Sequence, residues 1–242
     1  NKNISAASST IQTALNLYPD DIDVLLMAAS IMASSGQKIG QKSLRDVLDT
    51  VLKKDPNNAF AQELLISEYL NLEDWNSAYN LSFSLINKKN YSTQILLQHI
   101  KSCIALKLSS EARNTFILLK NYSVEKNILD LVEVQILIAE GRKAEALNLI
   151  QKALSEYSGK IKSNFYYEKS RIASNDDQKL SDLRSSLTAN PRNPEALFAL
   201  YEYYFKKADY RKAQYYLRQV VALNPESKKL AELNAKLDTL IN

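Results

Sequence analysis

The stretch 194-PEALFALYEYYFKKADYRKAQYYLRQVVALNPES-227 decides how the rest of the chain is read. Leu197, Leu200 and Tyr204 recur at i, i+3 and i+7, the spacing of one helical face. Ala213, Leu217 and Val220 repeat the pattern a few residues later. Asp209-Tyr210 marks the turn between two amphipathic helices, and Asn224-Pro225 closes the second. Ala213 is small enough to let the paired helix come close. The whole unit is 34 residues long.

Outward from that unit the same signal returns. The small residue of each second helix falls at Ala7, Leu44, Ala78, Ala112, Ala146 and Ala213. The intervals are 37, 34, 34, 34 and 67, the last being one unit of 34 and one of 33. This register divides the chain into a leading half at 1–21, units at 22–58, 59–92, 93–126, 127–160, 161–193 and 194–227, and a closing helix at 228–242.

In the leading half, Ala7, Ile11 and Ala14 share a face and Pro19 ends it. Its first helix is missing, which predicts further native residues upstream of Asn1. In 22–58, Leu25, Ala28, Ala29 and Met32 line the first helix and Leu44, Leu48 and Val51 the second. A three-residue insertion within Gln37–Gln41 lengthens the turn, and Asp55-Pro56-Asn57-Asn58 ends the unit. Leu65, Tyr69 and Ala78 carry 59–92, with its turn at Asp74-Trp75; Ile100, Cys103, Ala112, Phe116 and Leu119 carry 93–126. The run GRKAEALNLIQKAL (141–154) supplies a turn and second helix, Gly141 being the left-handed residue that ends a helix. Unit 161–193 is the least regular, with Leu180, Leu183 and Leu187 on its second helix and a turn at Ser174-Asn175-Asp176-Asp177. Leu230, Leu233, Leu237, Leu240 and Ile241 give the closing helix one apolar face, as the end of a repeat array requires.

In its period and its small and aromatic positions, 194–227 resembles a tetratricopeptide repeat (TPR), and 141–154 resembles the turn and second helix of one. The resemblance covers nearly the whole chain. It implies an all-α fold: one array over 1–242, a right-handed superhelical solenoid of antiparallel helix pairs with about 14 helices. One position departs from the family. The small residue expected midway along the first helix is Ala29, but becomes Ile66, Ile100, Val134, Glu168 and Tyr201. Larger residues there predict helix pairs that splay wider.

Composition agrees with an all-α chain. Among 242 residues there are four glycines, too few for many hairpin turns or phosphate-cradling loops. Hydrophobic residues make up 45% and charged residues 24%, as in a folded soluble protein. The net charge of +4 is spread thinly, so nothing concentrates the positive field that nucleic acid or an anionic membrane needs. No apolar run approaches the ~18 residues of a membrane span. Cys103 is the sole cysteine, which excludes an internal disulfide and leaves the compartment open, cytoplasmic or bacterial extracytoplasmic. The abundance of Lys, Asn, Ile and Tyr suggests a bacterial source.

Candidates for chemistry are few. His99 is the only histidine, and Cys103 lies four residues on, so the two can meet on one helical face. The catalytic reading stands against a plainer one, in which Cys103 points into the core and His99 flanks it. A metal would need more ligands than these two. The chain therefore reads as a non-enzyme, with no metal and no cofactor. Tyr201, Tyr203, Tyr204, Tyr210, Tyr215 and Tyr216 cluster near Lys206, Lys207, Arg211 and Lys212. Core and half-buried faces account for them better than single-stranded nucleic acid does.

The resemblance implies that first helices line a concave face that holds an extended peptide or a helix. It sets Leu26, Leu97, Ile104, Leu131, Ile138, Phe165, Phe198 and Phe205 toward that groove. Ser30, Ser67, Lys101, Gln135, Lys169 and Glu202 fall between them. Packing between neighbouring first helices, or cover by a second copy, is the competing account, above all for Phe165, Phe198 and Phe205. The carboxylate clamp of chaperone-binding TPR proteins is not matched, since Leu26, Ser30, Leu64, Ile128 and Val132 stand at its positions. The function so implied is a non-catalytic scaffold or adaptor for an apolar or amphipathic protein or peptide partner, with self-association also open. Two alternatives remain: a regulatory or substrate-recruiting region of a larger enzyme, or a bacterial extracytoplasmic accessory protein of a transporter or envelope assembly machine.

Overall fold

A computed structural model describes residues 2–225 and 227–241. Positions 1, 226 and 242, which fall in the expected leading half, the unit 194–227 and the closing helix, lie outside the described residues. The described residues form fourteen α-helices and no β-sheet: α1 (Lys2–Leu17), α2 (Ile22–Ser35), α3 (Leu44–Lys54), α4 (Ala59–Asn71), α5 (Trp75–Asn87), α6 (Thr93–Ala105), α7 (Ser109–Leu119), α8 (Lys126–Ala139), α9 (Lys143–Glu156), α10 (Gly159–Arg171), α11 (Asp176–Ala189), α12 (Pro194–Lys206), α13 (Tyr210–Leu223) and α14 (Lys228–Ile241).

Local chemistry starts and stops these helices. Asp21, Ser43, Asn58, Asp74, Ser92, Asn175, Asn193 and Asp209 each accept a backbone N–H of the helix they precede. Each such cap is worth about 1 kcal/mol. Five helix ends share one turn, closed by the N–H bonds Asp74→Tyr69, Asn90→Leu85, Leu108→Cys103, Arg142→Leu137 and Asp209→Tyr204. The left-handed residue in that turn is Gly141 in one copy, as expected, but Glu73, Lys89, Lys107 and Ala208 in the others.

The chain divides into two compact units, Asn1–Ser123 and Val124–Asn242. Within each, antiparallel pairs stack as in a TPR-like array, every helix packing on its neighbours in sequence. In the first unit α2, α4 and α6 also touch one another in succession, as do α8 and α10 in the second. Ala78, Ala112, Ala146 and Ala213 are fully buried, so the close-approach position holds in four copies. Phe116 and Phe165 are almost completely buried, and each contributes roughly 2–3 kcal/mol of burial. Ala29, Ile66, Ile100, Val134, Glu168 and Tyr201 are likewise all buried.

Three details correct the sequence reading. In unit 22–58 the interior position of the second helix belongs to Val47, 0% exposed, while Leu44 is only half-buried at the first turn. The N-caps Asp21 and Ser43 are 22 residues apart, against 16 for Asn58 and Asp74. Helix α2 is one residue longer than α4, and its turn, 36–43, is five residues longer than 72–74 although the unit as a whole gains three; this turn buries Ile39 against the first-unit core. At the far end Leu240 is 44% exposed, whereas Leu237 is fully buried with Leu230, Leu233 and Ile241 beside it. The helical period places Leu240 near the apolar face, but the packing of α14 on α13 turns it outward.

Candidate functional site

A groove of about 450 Å³ opens in the first unit between two first helices. Ser30, Ala33 and Ser34 of α2 form one wall; Phe60, Leu64, Ser67, Glu68 and Asn71 of α4 form the other, with Leu44 at the floor. The 3.6-residue repeat brings Phe60, Leu64, Ser67 and Asn71 to one side of α4. Gln98 of α6 donates from Nε2 to Ser67 Oγ at 2.6 Å and fixes that hydroxyl. Glu68 is partly buried; burial raises its pKa, and the nearby Arg45 guanidinium opposes the rise.

Of the residues expected to face a groove, only the interspersed Ser30 and Ser67 line this one. Leu26 is half-buried and packs on the first-unit core. Leu97 and Ile104 are half-buried on α6, with Lys101 exposed between them. In the second unit Leu131 and Ile138 pack against one core cluster. Phe198 and Phe205 flank Tyr201, with ring centroids 5.3 and 5.8 Å from it, and Glu202 is exposed.

Phe165 does not face a groove. It is 0% exposed and stacks on Tyr157 at 5.7 Å, because α9 and α8 both pack over that side of α10. Gln135 and Lys169 are engaged inside the second unit. Gln135 Nε2 donates to Glu168 Oε1 at 2.7 Å, and Lys169 Nζ to Asp182 Oδ1 at 2.8 Å. The Tyr cluster is mostly interior: Tyr201 and Tyr204 are buried, and Tyr216 stacks on Tyr204 at 5.7 Å. Tyr215, 64% exposed, is the exception.

A second constellation lies where α5, α6 and α7 meet. His99 and Cys103 are both buried, as the plainer reading holds, and Sγ lies 3.4 Å from Nε2. Sequence reasoning missed what α7 adds: Glu111 Oε1 stands 3.4 Å from the same nitrogen. Ser82 Oγ is 2.8 Å from Nδ1, and the rings of Tyr79 and Phe83 stack on the imidazole. Burial lowers the His99 pKa, against the pull of Glu111. It pushes the Cys103 thiol up to about 12, and the Tyr79 phenol, also held by Glu111, up to about 12. Glu111 is twelve residues from His99, so no spacing along one helix could have announced the contact.

The helix pairing defines the class of protein: an all-α repeat protein with the TPR-like arrangement of antiparallel pairs. No family model and no curated protein matches the chain. Among solved structures it is similar to the crystal structure of YrrB, described as a TPR protein with an unusual peptide-binding site. The identity is 16% and the TM-score 0.41, over 78% of this chain and 97% of that one. At that level the likeness adds nothing to the pairing already described. No helix among the described residues is long and apolar enough to cross a membrane.

Proposed function

We propose that the chain is a protein-binding scaffold that takes an extended segment of a partner protein between α2 and α4. The observation that carries this reading is the groove itself. Both of its walls are first helices, and apolar Phe60, Leu64 and Ala33 alternate with Ser30, Ser34, Ser67 and Asn71. Apolar lining with a few spaced polar groups suits a peptide that inserts one apolar side chain and hydrogen-bonds beside it. Glu68 sets the charge preference: a cation or N–H donor next to that side chain is favoured, and a free C-terminal carboxylate is disfavoured.

Peptide display against the full chain tests this. Ser34→Trp fills the groove from an exposed position on α2. Peptides selected on the wild-type chain should bind this variant at least tenfold more weakly, with the circular-dichroism melt unchanged, and should be enriched in Lys or Arg beside an apolar residue. Equal binding to both chains, or failure to select any peptide sequence, would overturn the reading.

A further inference from the structure

The Ser82 hydroxyl lies 2.6 Å from the Ala78 carbonyl, to which it donates its only hydrogen. With its hydrogen there, the hydroxyl accepts from His99 Nδ1 at 2.8 Å. In that tautomer Nδ1 carries the imidazole proton and Nε2 presents its lone pair. Facing that lone pair are a carboxylate oxygen of Glu111 and the sulfur of Cys103, each at 3.4 Å. Without a metal the protonated Cys103 thiol can donate to that lone pair; a divalent cation would displace that proton and take its place between the three atoms.

We propose that His99 Nε2, Cys103 Sγ and the Glu111 carboxylate together bind one zinc-class divalent cation, with water in the fourth position. Two of the three distances fit. Zinc bonds of about 2.3 Å to sulfur and about 2.0 Å to nitrogen or oxygen, at tetrahedral angles, separate S from N by about 3.5 Å and N from O by about 3.3 Å. The third, from the Glu111 oxygen to Sγ, lies within 4.8 Å and must close to about 3.5 Å as the ion binds. His99 and Cys103 stand at i and i+4 on α6, which aims both at one point, and Glu111 closes the site from α7. Thiolate and imidazole together select zinc-class ions over magnesium or calcium.

The surroundings match what a metal site needs beyond its ligands. Ser82 fixes the ring and its tautomer, and the Tyr79 hydroxyl lies 3.0 and 2.9 Å from the two Glu111 oxygens, donating to the carboxylate. Tyr79 and Phe83 cover the imidazole face, while Glu111, its side chain 29% exposed, leaves a way in for ion and water. Cys103 binds as thiolate and its proton goes to solvent. The bound ion would tie α6 to α7 and stabilise the first unit by mass action.

The full chain, stripped with chelator and titrated with cobalt(II) or zinc(II), provides the test. Cobalt should give a sulfur-to-metal charge-transfer band at one equivalent, zinc should displace it, and zinc should raise Tm reversibly. Cys103→Ala should abolish the band. Glu111→Gln should weaken zinc binding at least tenfold without changing the metal-free circular-dichroism spectrum, and Ser82→Ala should weaken it by about 10–100-fold. If Cys103→Ala does not fold, Glu111→Gln, altered on a partly exposed side chain, still decides. The absence of a thiolate band in the wild-type chain, or unchanged affinity in Glu111→Gln, would overturn the proposal and leave the Cys103 thiol donating to His99.

Discussion

The helix pairs α8–α9 and α10–α11 stand side by side with contrasting interiors. In the first, Val134, Leu137, Ala146, Ile150 and Ala153 are buried together, and the midway position of α8 is Val134. In the second, that position is Glu168, 2% exposed, held by Gln135 and by Arg171 at 2.6 Å. Around it α10 and α11 meet through polar contacts. Ser163 and Ser186 hydroxyls each donate to the other's carbonyl at 2.8 Å, Asn193 Nδ2 donates to Ser163 Oγ, and Lys169 pairs with Asp182. Buried polar groups are tolerated because nearly all find partners. A packed helix pair is thus reached by apolar burial in one place and by a satisfied polar seam in the other. The second solution depends far more on each individual partner.

Four substitutions break or sharpen that contrast. Ala146→Arg should do the most damage, because it overpacks a fully buried crossing with a charge. A loss of about 4 kcal/mol, read by urea unfolding, is expected. Arg171→Ala attacks the polar interior by removing the counter-charge of Glu168. Breaking a fully buried pair costs about 3–5 kcal/mol, but Arg171 is 38% exposed, so about 2 kcal/mol is expected at pH 8.

That second loss should shrink at acidic pH. Burial raises the Glu168 pKa, with Arg171 and Gln135 opposing the rise. A group raised on folding contributes stability below its unfolded value, near 4.5, and loses it as pH rises through the folded value. Melts of Arg171→Ala at pH 4 and pH 8 check the sign; a larger deficit at pH 4 would refute it. Glu168→Leu gives the second interior the chemistry of the first. The variant should be neutral or more stable by about 1 kcal/mol at pH 8, and stability should vary less with pH.

Smallest is Gly141→Ala, at the turn of the apolar unit. Gly141 has φ +76°, and an added Cβ meets nothing within 4 Å, so the cost is backbone strain alone. About 1 kcal/mol is expected in a thermal melt. Turn 172–175 in the polar unit has no such left-handed residue among its own and relies on the Asn175 cap instead.

Much of the fold was legible because it depends on periodicity. Four of the six small-residue positions proved fully buried, and the turns at Asp74, Gly141, Asn175 and Asp209 fall where turn chemistry put them. The polar seam was not legible. Ser163, Glu168, Asp182 and Ser186 carry the residue types of a solvated helix face, and only their partners on other helices make their burial tolerable. Phe165 failed for the complementary reason. A Phe on a first helix suits a groove or a core equally, and the neighbours α8 and α9 decided for the core. Leu44 and Val47 differ because a longer turn shifts the phase of α3, and an insertion hidden in a loop leaves no helical signal.

By itself the sequence determined that this chain makes helix pairs, how often they recur, and which residue of most second helices must be small. Those follow from the 3.6-residue turn and the 34-residue spacing, both of which are properties of a single chain segment. The tertiary structure alone decided that Glu111 meets His99 and Cys103, that Glu168 lies inside, and that Ser34 and Ser67 face each other across a groove. Such meetings join different helices, and helical phase fixes a residue's direction but not what stands opposite it.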